Sequence, residues 1–210
     1  MTLYAKWSET TEPSTGDWEN PFSDVSSSDW FYENVKYVYN NNIFKGITDT
    51  TFEPNTEMTR AMLVTVLYRM EGEPDISNEI LGYPFEDVDA DSWYGNAVYW
   101  ARLNGIVTGH SDEVFAPDDN ITREQFAAII DRYAVYKGNK VSNTADISQF
   151  ADTEEISDWA FESVSWAVGS GLISGKDNGI LDPKGSATRA EAAAILQRYI
   201  ENISENNISE

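Results

Sequence analysis

The chain carries formal net charge −22, yet six of its seven arginines recur in register. Arg60, Arg123 and Arg189 each follow a threonine, and Arg69, Arg132 and Arg198 stand nine positions further on. A guanidinium offers a planar fork of donors that matches a carboxylate. Each Thr-Arg pair opens an amphipathic stretch, so the first set is expected at the first position of a helix. There, free backbone amides and the helix dipole add donors of the same sign. The chemistry implied is capture of a carboxylate-bearing ligand. The competing reading is that each arginine pairs with a structural Asp across a repeat boundary. The second set lies about two and a half turns along the same helices. It should face roughly opposite to the first, and ion pairing between repeats is expected for it.

Other residues keep the same register. Trp30, Trp93 and Trp159, then Gly46, Gly109 and Gly175, then Pro54, Pro117 and Pro183 repeat at intervals of 63 and 66 residues, as the arginines do. Phe22-Ser23-Asp24-Val25, Phe85-Glu86-Asp87-Val88 and Phe150-Ala151-Asp152-Thr153 open the three segments. A repeat of this length is one supersecondary unit that needs neighbours to complete a core. A site built from repeated residues can occur three times, which favours holding a polymer over catalysing a reaction. An indole can stack on a sugar ring, but an aromatic at a helix start can equally be core, and both readings stay open for the tryptophans. Asp24, Asp87 and Asp152 are expected to bond backbone amides in Asx turns, with ligand contact as the other possibility. Gly46, Gly109 and Gly175 would relax the turn after a helix and let a ligand approach the backbone closely.

The elements that must position these residues read as helix, loop, helix in each repeat. Phe31, Val35 and Val38, Tyr94, Val98 and Ala101, and Ala160, Val164 and Ala167 form one buried stripe on each first helix. Asp29, Ser92 and Asp158 precede the tryptophans and are expected as N-caps. Gly105, Gly171 and Asn42 suit the C-terminal stop. The second helices begin at the Thr-Arg pairs. Thr122 with Gln125, and Thr188 with Glu191, have capping-box spacing, whereas Thr59 faces Met62 and loses the reciprocal half. Leu63, Val66, Leu67 and Met70 recur as Phe126, Ile129, Ile130 and Tyr133, and as Ala192, Ile195, Leu196 and Tyr199, a core face. Small residues beside it, notably Ala127-Ala128 and Ala193-Ala194, predict that the second helices form a central bundle. The fold class is therefore all-α, with three repeats packed as one body, since units of about 55 residues are too small to stand alone.

Hydrophobic content of 41% and aromatic content of 13% are those of a folded protein. No apolar run is long enough for a membrane span, and the charge disfavours both nucleic acid and anionic membranes. The absence of cysteine excludes disulfides and thiolate metal sites. The one histidine, His110, is expected in an exposed loop. Gly169-Ser170-Gly171 lacks the flanking spacing of a nucleophile elbow or a dinucleotide loop. No enzyme, cofactor or metal is expected. Asp112, Glu113, Asp118 and Asp119 are dense enough for a hard cation, but repeat 1 offers only Asp49 and Glu53 in their place and EF-hand spacing is absent.

Phe-x-Asp-Val, then Trp, then Gly-Ile/Leu-x-x-Gly, then Phe-x-Pro, then Thr-Arg-Ala-Glu resembles the S-layer homology domain. Ala187-Thr188-Arg189-Ala190-Glu191 matches the signature outright, Ile121-Thr122-Arg123-Glu124-Gln125 changes it conservatively, and Met58-Thr59-Arg60-Ala61-Met62 loses the acid. The resemblance implies a pseudo-threefold, three-pronged body. It further implies a non-catalytic anchor at the bacterial cell wall or S-layer, extracellular. Such an anchor binds secondary cell wall polysaccharide in inter-repeat grooves, often through pyruvylated N-acetylmannosamine, whose ketal presents one carboxylate. A protein–protein or calcium-dependent S-layer assembly module is the alternative. On this reading residues 1–20 are a linker with the remnant of a preceding surface repeat, Leu3 to Trp7 resembling its closing strand, and no secretory signal is expected in them. The repeats span 21–75, 84–138 and 149–203, a polar tail spans 204–210, and the parent protein's other domains lie upstream. Departures at Asn42, Met62 and Val64 in repeat 1, and at Thr153, Ala160 and Leu181 in repeat 3, predict unequal grooves.

Overall fold

The computed structural model describes residues 18–76, 85–139, 143–177 and 179–204. The expected remnant strand, most of the first linker and most of the tail lie outside them. Among the described residues there are six α-helices, two per repeat. These are α1 (Tyr32–Asn40), α2 (Arg60–Met70), α3 (Gly95–Leu103), α4 (Arg123–Tyr136), α5 (Phe161–Gly169) and α6 (Arg189–Tyr199). A 3-10 turn at Thr153–Glu155 and a π-helical turn at Ile200–Ser204 complete them. The all-α expectation holds: among the described residues there is no strand, and β pairing is confined to isolated bridges. No described helix is long and apolar enough to cross a membrane.

The helices start and stop for local reasons. Thr122 and Thr188 form complete capping boxes with Gln125 and Glu191, while Thr59 only accepts from the Met62 amide. Asn42, Gly105 and Gly171, at φ 56°, 69° and 69°, follow the first helices in the left-handed region. The next amides reach back five residues, Ile43 N to Val38 O at 2.8 Å and Ile106 N to Ala101 O at 2.8 Å, closing Schellman stops. The expected N-caps at Asp29, Ser92 and Asp158 are corrected. The residues at the caps are Phe31, Tyr94 and Ala160, with no side-chain bond. Asp29 instead accepts from the Ser26 amide at 2.7 Å, and Ser92 Oγ donates to Asp89 O at 2.6 Å. These polar groups close a turn ahead of the helix, and the tryptophans sit in that turn.

No repeat packs its two helices into a unit of its own. Instead α3 packs on α2, α5 on α4, and α1 returns to α6, so each first helix covers the second helix of the repeat before it. The expected stripes lie in the shared core, with Val35, Val38, Val98, Ala101, Ala160 and Ala167 at 0% exposure. The second helices converge on the pseudo-threefold axis. At their N-terminal ends, the Met58 amide donates to Ala187 O at 2.9 Å, Ala187 to Ile121 O at 2.9 Å, and Ile121 to Met58 O at 2.8 Å. The three bonds form a closed ring, and Met58, Ile121 and Ala187 are fully buried. At the far end the Tyr133 hydroxyl donates to Glu71 at 2.5 Å and its ring packs 5.3 Å from Tyr199. Burial and the Glu71 carboxylate push the Tyr133 phenol well above the usual range.

A carboxylate holds the loop that leads into each second helix. Asp24 accepts from the Phe52 and Glu53 amides at 2.8 and 2.7 Å, Asp87 from Phe115 and Ala116 at 2.9 and 2.6 Å, and Asp152 from Leu181 and Asp182 at 2.8 and 2.7 Å. The partners are 28 to 30 residues away, so this is a long-range clamp and not the expected local Asx turn. It fixes Glu53, Ala116 and Asp182 at φ 57°, 57° and 53°, where a side chain is strained.

Two outcomes follow. The Asp87→Ala variant should lose about 1–2 kcal/mol in urea unfolding, two charge-assisted bonds to an exposed carboxylate being removed; an unchanged midpoint would refute the clamp. The Met58, Ile121 and Ala187 amides should exchange with deuterium only on global unfolding, so faster, sub-global exchange there would show that the ring is not structural.

Candidate functional site

The second helices begin where one repeat meets the next, and the meeting consumes the amides that were expected to be free. The Arg60 and Ala61 amides donate to Asp119 O and Pro117 O, both at 3.0 Å. Those of Arg123 and Glu124 reach Gly185 O and Pro183 O, and those of Arg189 and Ala190 reach Thr56 O and Pro54 O, at 2.9 to 3.0 Å. With the threonine hydroxyl taking the next amide, each helix start is closed by protein. No anion site on bare amides remains there.

The first set of arginines enters the same junctions. Arg60 Nε donates to Phe115 O at 2.8 Å, Arg123 Nε to Leu181 O at 2.7 Å, and Arg189 Nε to Phe52 O at 2.8 Å. Arg60 lies over the Phe115 ring and Arg189 over Phe52 and Phe44. All three residues are buried, at 4%, 5% and 4% exposure. Burial pulls the Arg189 guanidinium down to about 10, against Glu53 and Asp24. Burial likewise lowers Arg60, with Asp119 and Asp87 opposing and Arg132 adding to it. The structural partners are thus carbonyls and rings of the next repeat more than the expected aspartates.

The terminal nitrogens differ. Arg123 Nη1 meets Glu191 Oε1 at 3.1 Å and Nη2 meets Ser174 O at 3.0 Å, while Arg189 Nη2 meets Lys45 O at 2.9 Å. Among the described residues, neither terminal nitrogen of Arg60 makes a hydrogen bond. A groove of about 330 Å³ lies between the repeats, and its lining includes Arg60, Gly109, His110, Gln125, Arg132 and Trp159. One arginine, one glycine and one tryptophan of the expected set therefore meet, each from a different repeat. His110 lies at its mouth, with Nε2 3.7 Å from Asp119 Oδ2. A second cavity, about 490 Å³, places Trp93 beside Arg69 and Glu73.

The tryptophans are exposed and not core: Trp30, Trp93 and Trp159 keep 64%, 61% and 56% of their surface. Trp30 and Trp93 are braced edge-on by Phe31 and Tyr94 at 5.4 and 5.1 Å. The glycines are explained by packing. A Cβ at Gly46, Gly109 or Gly175 would lie 2.6 Å from the ring of Phe22, Phe85 or Phe150, the opening residue of the same repeat. Asp24, Asp87 and Asp152 are spent on the loop clamps behind the groove. Among the described residues no three acidic or histidine side chains gather to hold a cation.

The second set of arginines does not form the expected inter-repeat ion pairs. Arg69 meets Glu73 at 3.7 Å and Arg198 Nη1 donates to Leu172 O at 3.1 Å, each within its own repeat. Arg132 makes no hydrogen bond or ion pair among the described residues and is only partly buried. Its part in the groove was readable in the nine-residue offset. Opposite faces of one helix line two different junctions, so the first-set arginine of one repeat meets the second-set arginine of the next.

Comparison with known proteins agrees with this architecture. The model of the S-layer homology domain matches residues 21–61, 84–127 and 149–193. An amylopullulanase of Thermoanaerobacterium thermosulfurigenes is 35% identical over 186 residues, which is 88% of this chain and 10% of the relative. The surface-layer 125 kDa protein of Lysinibacillus sphaericus is 30% identical over 88% of this chain and 15% of its own length. A cellulosome-anchoring protein of Acetivibrio thermocellus is 26% identical over 87% of this chain and 39% of its own length. This chain thus spans well under half of each of these relatives. Three matched segments, closed head to tail into one threefold body, make the chain a member of the S-layer homology domain family.

Proposed function

We propose that this chain is a non-catalytic anchor that holds a larger exported protein to the bacterial cell wall. It binds secondary cell wall polysaccharide in its inter-repeat grooves, through the carboxylate of a pyruvylated N-acetylmannosamine residue. Its place is outside the cell, at the wall or surface layer. The surface-layer and anchoring proteins among its relatives support that setting.

The observation that carries the reading is the groove lined by Arg60 and Arg132 beside the exposed Trp159, where the Arg60 terminal nitrogens and Arg132 have no acceptor among the described residues. A ketal carboxylate supplies the acceptor, and a sugar ring supplies a face for the indole. Local, oriented donors also explain how a protein of net charge −22 can hold an anionic glycan without bulk attraction. The carriers proposed for the other junctions are Arg123 and Arg189, with Trp30 and Trp93.

Calorimetric titration with purified wall polysaccharide, untreated and after mild acid removal of its ketals, tests the reading. Binding should be present with the ketal and lost without it. Binding indifferent to the ketal would move recognition to the sugar rings and tryptophans. No binding to polysaccharide from the cognate wall would overturn the anchor and favour a protein–protein assembly module.

A further inference from the structure

We infer that the three grooves are chemically unequal: the Arg60–Arg132 groove takes the ligand carboxylate, while Glu191 occupies the equivalent place in the Arg123 groove. This rests on the wall-anchor reading and goes beyond it by assigning the site to one junction.

The argument turns on one helical position. Gln125, Glu191 and Met62 stand third in α4, α6 and α2. The pseudo-threefold sets each beside the arginine of the preceding repeat, Arg60, Arg123 and Arg189 respectively. In the Arg123 junction Glu191 Oε1 lies 3.1 Å from Arg123 Nη1 and 3.4 Å from Lys176 Nζ, with its side chain 16% exposed. A carboxylate of the protein already does there what a ligand carboxylate would do, and Arg198 is turned to Leu172 O.

In the Arg189 junction, Nε and Nη2 are both committed to carbonyls, and a thioether stands at the third helical position. The second-set arginine, Arg69, is compensated by Glu73. Only at the Arg60 junction is the third residue a neutral amide, with Arg60 and Arg132 both lining the groove. Asp119 and Asp87 act on Arg60 through space, but no carboxylate among the described residues is within ion-pair reach of either arginine. Two cations of like sign facing one cavity are held apart from any counter-ion, which favours an anion between them.

The molecule supplies its own fold-compatible variants. Glu191 shows that a glutamate completes this capping box, and Gln125 shows that a glutamine does. The test titrates the full chain with a monovalent probe, the methyl glycoside of N-acetylmannosamine carrying a pyruvate ketal, with the ketal-free glycoside as control. One site per chain is expected. Gln125→Glu and Arg132→Ala should each weaken it roughly 30-fold or more, with thermal unfolding unchanged. Glu191→Gln should add a second, weaker site. Two or three sites in the unmodified chain, a Gln125→Glu variant that binds as well as the parent, or no binding of the probe would each overturn the assignment. The polysaccharide titration is read separately. If ketal-dependent binding persists there, only the ranking of grooves falls; if it is absent, the anchor reading falls with it.

Discussion

Every second helix in this protein begins with backbone amides that its own repeat cannot satisfy. A helix leaves its first N–H groups without intrahelical acceptors. Here the acceptors come from the loop of the following repeat, at Pro117 and Asp119, Pro183 and Gly185, Pro54 and Thr56. The Met58–Ala187–Ile121 ring ties the same three junctions at the axis. Each bond contributes only about 1 kcal/mol net, but an unmade one in a buried junction costs more. The loops are in turn held in register by Asp24, Asp87 and Asp152. Grooves, arginines and tryptophans all take their places from this exchange.

The arginines of the Thr-Arg pairs show how one side chain can be fixed by the fold along one edge and differ along the other. In all three junctions Nε is committed to a carbonyl of the next repeat, and in two the guanidinium also rests on aromatic rings. What varies is the outer edge of the fork. Burial makes each cation costly unless those outer nitrogens find acceptors, and the protein supplies two at Arg123 and one at Arg189. A family signature therefore marks the strut at every copy, whereas the surroundings of its outer edge depend on its neighbours.

Much of this was legible in the residues. Period, stripes, capping boxes and C-terminal stops are local, and the chemistry of Thr188 with Glu191 or of Asn42 after α1 needs no distant partner to be read. The partner of a stripe was not legible, because an amphipathic pattern names the buried face and not what covers it. Nothing in the α1 segment says that it returns to α6. The first helices begin two residues later than Asp29 and Ser92 suggest, because these good caps have nearer partners. Of the site, the recurrence of Arg60, Gly109 and Trp159 was visible, but that these three meet from three different repeats required the closed arrangement. Arg132 joins them because its face of α4, opposite that of Arg123, lines the neighbouring junction.

The return of α1 to α6 also fixes the counting. An open stack of repeats has two ends, where an exposed apolar face must be disguised by an atypical unit. Here every unit is interior and no disguise is needed: the seam between α1 and α6 is built like the other two junctions. Such a ring cannot grow by adding a unit or shrink by losing one without opening a seam. Three is set by closure of the circle, and that leaves the lining of each junction free to differ while the body around it stays the same.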